Sequence, residues 1–233
     1  MIAVLSFPGS NCDQDCVRAC EHLGESARIV WHTETMLPED TDAVIIPGGF
    51  SYGDYLRPGA CAKLSPVMLD VVRRARQGLP VLGICNGFQI LLEVGLLPGA
   101  LMANQSLRFI CRHQALEIVS THGMSQRWFG ERASSDAVLY MPVAHAHGQY
   151  FIERDGLKSL QDNGQILLRY TSGTQASYTE YNPNGSVDDI AGICDESGRI
   201  VGMMPHPERA VLSHAKSQDG VTWLKLWLES RSR

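Results

Sequence analysis

The chain has 233 residues, 44% hydrophobic and 19% charged, which gives a substantial core and excludes a disordered chain. Its 20 Lys and Arg against 25 Asp and Glu leave a net charge of −5 with no basic block, which argues against nucleic-acid binding. No apolar run approaches the roughly 20 residues of a membrane-spanning helix. The first residues, MIAVLSFPGSNCDQD, lack the basic start of a secretion signal. Seven cysteines without an export signal point to free thiols in a reducing cytoplasm.

Ile2 to Phe7 reads as a first strand, broken by Pro8-Gly9-Ser10-Asn11, where Ser10 or Asn11 can cap a helix running to about Leu23. Ala27 to Trp31 and Ala43 to Ile46 follow as strands, the latter ending in Pro47-Gly48-Gly49. A helix is expected from about Ala62 to Gln77, a strand from Val81 to Ile84 and a helix over 87–94. Short strands that are apolar throughout, alternating with helices, predict a parallel sheet covered on both faces. Beyond Leu101 the pattern turns β-rich, with strands over 107–119, 137–143, 148–152 and 165–170 and few helices between. Ile190 to Cys194 and Ile200 to Met204 flank a turn, as a hairpin, and Val221 to Leu228 forms a closing helix. The fold class is therefore α/β: an open, mostly parallel sheet with flanking helices and a β-rich second half, in one domain over 1–233.

One corner of this pattern carries chemistry. Gly83-x-Cys85-x-Gly87 has the spacing of a nucleophile elbow, with cysteine in place of serine. The strand-to-helix turn is tight, and a side chain at either flanking site would meet neighbouring backbone. The turn sets the thiol at the carboxyl end of a strand and at the N-terminus of a helix, which favours thiolate. The N–H of Asn86 is left to bind an oxyanion. A buried cysteine in an ordinary tight turn would give the same pattern, so the base has to decide. Of eight histidines, His206 stands out in Met204-Pro205-His206-Pro207-Glu208, just past a strand. Glu208 is near enough to hold the tautomer. A glycine pair at Gly48-Gly49, before Phe50, leaves backbone N–H groups for the other half of an oxyanion hole. It is not a phosphate loop, because G-K-[ST] is absent.

Together GICNGFQ, HPE and PGGF resemble the nucleophile, base and oxyanion motifs of the class I (triad) glutamine amidotransferases, in the same order along the chain. MIAVLSFPGSN, GGFSYGDYLRPGA, PVAHAHGQY and MMPHPER resemble one branch of that family, the glutaminase subunits of phosphoribosylformylglycinamidine synthases in purine synthesis. The resemblance covers nearly the whole chain and implies a flavodoxin-like fold. It implies that Cys85 attacks the side-chain amide of glutamine, that His206 moves the proton and that Glu208 orients His206. Backbone N–H groups near Gly49 or Phe50, with that of Asn86, would bind the oxyanion, and Gln89 would help hold the substrate. Ammonia would then pass to a separate synthetase subunit (PurL), with a small third subunit (PurS) in the complex. ATP and magnesium belong to that synthetase; no cofactor and no metal are expected in this chain. Two other readings stay open at this point. One is an amidotransferase or cysteine hydrolase for another acceptor on the same elbow. The other is a noncatalytic module on an inherited fold, for which loss of Cys85, His206 or Glu208 would be the signature.

One stretch departs from the family. Where A-H-G-E-G is usual, this chain has Ala144-His145-Ala146-His147-Gly148, in a loop expected near the active site or the subunit interface. His145 and His147 would share one face of a strand, half of a metal site without further ligands nearby. Cys12, Cys16 and Cys20 lie along one helix face but would spread over about 12 Å, too far for one ion, so they read as small packing residues. Cys61, Cys111 and Cys194 read as core or incidental thiols, and Arg73, Arg74 and Arg76 as a solvated helix face.

Overall fold

The computed structural model describes residues 1–130, 138–173 and 181–231. Its main sheet has nine strands in the order β2-β1-β3-β4-β11-β10-β9-β6-β7. The first five in that order, β2 (Ala27–Trp31), β1 (Ile2–Ser6), β3 (Ala43–Ile46), β4 (Val81–Ile84) and β11 (Ile200–Met203), pair in parallel. From β11 onward, β10 (Ile190–Cys194), β9 (Ile166–Tyr170), β6 (Ile110–Ile118) and β7 (Val138–His145) add antiparallel partners. The expected parallel sheet is thus the half that carries the elbow, and the β-rich second half extends it. Strands β1, β3, β4 and β11 are buried at every residue, which is why they read as IAVLS, AVII, VLGI and IVGM without polar alternation.

Helices α1 (Asp13–His22), α2 (Pro66–Arg76) and α3 (Asn86–Glu93) accompany the parallel half. α4 (Gly123–Phe129) and α5 (Arg154–Asp162) lie in the stretch read as nearly helix-free, and a separate two-stranded sheet joins β5 (Ala100–Met102) to β8 (Gln149–Phe151). α6 (Asp219–Ser230) closes the chain with Trp223 and Trp227 fully buried, and Trp128 of α4 stacks on Trp223 at 5.7 Å.

Several boundaries differ from the sequence reading for local reasons. Neither Ser10 nor Asn11 caps α1: the Ser10 hydroxyl accepts from the Phe7 N–H, Asn11 Oδ1 accepts from the Cys12 thiol, and the cap position is Cys12. The helix expected from Ala62 breaks at Ser65, which is extended at ψ 138° as the residue before a proline tends to be, so only a short turn, Ala62–Leu64, precedes α2. Position 137, the first of one expected strand, lies outside the described residues. Arg74 is not simply solvated, because it donates to the Pro38 and Thr41 carbonyls and ties down that loop. No helix among the described residues is long and apolar enough to cross a membrane.

The curl of the sheet builds the site. β7 is the edge strand farthest from β2, yet His206, three residues past β11, donates its N–H to the Pro142 carbonyl of β7 at 2.9 Å. The end of β7 therefore lies over the carboxyl ends of β4 and β11.

Candidate active site

The thiol sits in a strained corner. Cys85 N–H continues the ladder to the Met203 carbonyl at 2.7 Å, and then the chain turns with Cys85 at φ 51° and ψ −103°. A non-glycine residue holds that conformation only where its surroundings fix it. The fixing is steric: a Cβ on Gly87 would stand 1.9 Å from the Ile46 carbonyl oxygen, and one on Gly83 would stand 2.6 Å from the Gly87 carbonyl oxygen. α3 begins at once with Asn86, whose first-turn amide has no carbonyl one turn back to accept it. The elbow lifts the thiol out of the sheet, but β7 covers it. Cys85 is 5% exposed and its Sγ donates to the Ala144 carbonyl at 3.6 Å.

His206 and Glu208 come to the same place from the end of β11. His206 is buried, and its Nδ1–H donates to Glu208 Oε1 at 2.6 Å, which leaves Nε2 as the face for proton transfer. Nε2 is buried with no hydrogen-bond partner among the described residues. Burial alone would hold the imidazole neutral. The negative charge of the Glu208 carboxylate first, and then that of the nearby Cys85 sulfur, outweigh burial and push His206 well above the usual histidine range. A protonated His206 beside Cys85 can give its proton to a leaving nitrogen.

That balance yields a prediction. Glu208→Gln removes the charge that raises His206 while burial persists, so the imidazolium is lost at a lower pH. The alkaline limb of kcat/KM for glutamine should move to lower pH, and kcat should fall by roughly 10²- to 10⁴-fold. An unchanged alkaline limb would show that Glu208 does not hold the proton on His206.

The remaining expected residues are placed less simply. The Asn86 side chain links α3 to the glycine-rich loop: its Oδ1 accepts from the Ser51 N–H at 3.2 Å and its Nδ2 donates to Gln89 Oε1 at 2.8 Å. Gln89 is buried, and its Nε2 donates to the His147 carbonyl at 2.7 Å. Its amide thus ties α3 to the loop after β7. Gly49, at φ 148°, bridges Ser10, and the Phe50 N–H donates to the Gly9 carbonyl at 2.9 Å. The amide of Phe50 is therefore occupied by the turn after β1, leaving Gly49 as the candidate in that loop.

Sequence reasoning missed the wall behind His206. Cys12, taken for a packing residue, accepts from Arg209 Nη2 at 2.8 Å, and its Sγ lies 3.9 Å from His206 Nδ1. Cys16 and Cys20 are buried as expected. Gly48 fits between these groups: a Cβ there would come within 2.6 Å of His206 Cε1 and 3.1 Å of Cys12 Sγ. The donor atoms of Cys12, His206 and Glu208 all lie within 4.8 Å of one another. A cation among them would have to break the His206–Glu208 bond and displace the Arg209 guanidinium. The paired-histidine arrangement does not form, because β7 ends at His145, which is buried, while His147 lies beyond the strand and is exposed.

Residues 1–231 match the CobB/CobQ-like glutamine amidotransferase domain. The chain belongs to that family. Within this amidotransferase family it is 45% identical to the phosphoribosylformylglycinamidine synthase subunit PurQ of Sulfurimonas denitrificans, over 98% of this chain and 99% of that one. It is 50% identical to the subunit of the same name from Wolinella succinogenes, over 96% and 97% of the two chains. A chain in the solved structure of PurLQS from Thermotoga maritima superimposes on this amidotransferase with a TM-score of 0.81 at 36% identity, covering 98% of this chain and 97% of that one.

Proposed function

We infer that this chain is the glutamine-hydrolysing subunit of a phosphoribosylformylglycinamidine synthase. It acts with a PurL-type synthetase and a small PurS-type subunit, as one amidotransferase domain in the cytoplasm. The observation that carries the reaction is the buried constellation of a thiol on a strained elbow, an imidazole raised above its usual range and a carboxylate 2.6 Å from its far nitrogen. Full-length identity to PurQ subunits carries the choice of acceptor.

In this reading the Cys85 thiol gives its proton to His206 Nε2 as its sulfur attacks the side-chain amide carbon of glutamine, and the Gly49 and Asn86 amides stabilise the oxyanion. His206 protonates the amide nitrogen, the C–N bond breaks and ammonia leaves. Water, deprotonated by the now neutral His206, then cleaves the thioester, releasing glutamate, and His206 returns that proton to the departing sulfur to restore the thiol. Ammonia passes to the synthetase, which uses ATP and magnesium to convert formylglycinamide ribonucleotide to the amidine. Asn86 and Gln89 hold α3 against the loops on either side of the thiol, so a substrate role for Gln89 uses the hydrogen and lone pair that these bonds leave.

The test is reconstitution with synthetase and small subunit. Glutamine labelled in its amide nitrogen should give labelled amidine product that depends on this chain. Glutamate formed with no amidine would point to another acceptor.

A further inference from the structure

The loop that departs from the family holds a buried group that the mechanism above does not use. His145 closes β7, directly after the Ala144 carbonyl that accepts from the Cys85 thiol. It is 3% exposed. Its ring is locked by Asn104, itself fully buried. Asn104 Nδ2 donates to the Arg108 and His145 carbonyls, each at 2.8 Å, and Oδ1 accepts from the Gly148 N–H at 3.0 Å. These three partners fix which end of the amide is oxygen. Oδ1 lies 3.0 Å from His145 Nδ1, so Nδ1 must carry the hydrogen, and in the neutral ring Nε2 is then a bare lone pair. Gly148 lies against the ring, leaving the imidazole no room to turn: a Cβ there would meet Nδ1 and Cε1 at 2.4 Å.

Nε2 is nevertheless buried without a donor among the described residues. A buried acceptor left unmet is costly, so the site suits a small ligand that brings an N–H or O–H. Burial first, and then the charge of His206, lower the His145 pKa to about 4. His145 is therefore neutral where the enzyme works, and it lies near the imidazole that must face the leaving nitrogen. Ammonia offers three N–H donors. A neutral acceptor binds it through one of them without supplying the proton that would make it unreactive ammonium.

We propose that His145 Nε2 receives ammonia as it leaves Cys85, making the end of β7 the first station on its way to the synthetase. This rests on the function proposed above. The experiment measures glutamate formed per amidine in the reconstituted complex for wild type, His145→Leu and His145→Gln, alongside synthesis from added ammonium. Absence of glutamine-dependent amidine in the wild type would sink the function itself. With an active wild type, His145→Leu should form about fivefold more glutamate per amidine, the factor one neutral hydrogen bond is worth. Its synthesis from added ammonium should be unchanged. His145→Gln, which keeps a neutral acceptor, should recover part of the coupling. Wild-type coupling in His145→Leu overturns the proposal, and a raised KM for glutamine with coupling intact assigns Nε2 to bound glutamine instead. Should His145→Leu not fold, Gly148→Ala shifts the ring without removing it and faces the same outcomes.

Discussion

Cys85→Ala is expected to abolish glutamine-dependent amidine formation by the complex while leaving ammonia-dependent synthesis intact. The sulfur is the only atom at the elbow that can form the glutamyl thioester. Alanine keeps the backbone free to hold φ 51° and ψ −103°, because the flanking glycines and not the thiol set that turn. The thiol's hydrogen bond to the Ala144 carbonyl is long, at 3.6 Å, so its loss should cost little stability. The glutamine rate should fall to the uncatalysed level, with the melting temperature within a few degrees of wild type. Loss of both activities, measured with glutamine and with ammonium in parallel, would make Cys85 a folding or docking residue.

Gly87→Ala should have the second largest effect, and of the opposite kind. Its Cβ would stand 1.9 Å from the Ile46 carbonyl oxygen, which is backbone of the central strand β3 and cannot swing aside. Either α3 lifts off the sheet or the elbow opens. Overpacking typically costs about 1–3 kcal/mol, and a clash with backbone that cannot yield belongs at the upper end, about 3 kcal/mol. For a domain of this size that lowers the melting temperature by about 6–12 °C. Because α3 carries Asn86 and follows Cys85, glutaminase activity should disappear even in the folded fraction. Thermal melts and glutaminase assays on one preparation check this. A variant with wild-type melting and activity would mean the elbow is not held by contact of α3 with β3.

The elbow and the His206–Glu208 pair were legible because each requires unusual residues at fixed spacing within a few positions. Only glycine fits two positions to either side of Cys85, and a carboxylate two residues after His206 folds back onto it. The all-apolar strands β1, β3 and β4 were legible because burial on both faces removes polar residues. What was hidden lies in contacts between distant segments. Nothing near Cys12 in sequence signals that Arg209 will reach its sulfur, since the contact depends on how α1 packs against the turn after β11. The Phe50 amide looked available beside a glycine pair, but the turn after β1 supplies the Gly9 carbonyl that occupies it. His145 and His147 looked like neighbours on one strand face, but β7 ends between them. α4 and α5 are only seven and nine residues long, about two turns each, too short for a helical period to be read from the sequence. The cover that β7 places over Cys85 follows from the curl of nine strands, which no local pattern records.

The most direct test of the central claim is the intact mass of the protein, with its synthetase partners present, after incubation with the diazoketone analogue of glutamine, followed by peptide mapping. The account predicts one adduct, on Cys85, prevented by excess glutamine. No adduct, or labelling scattered over Cys61, Cys111 and other thiols regardless of glutamine, would contradict it.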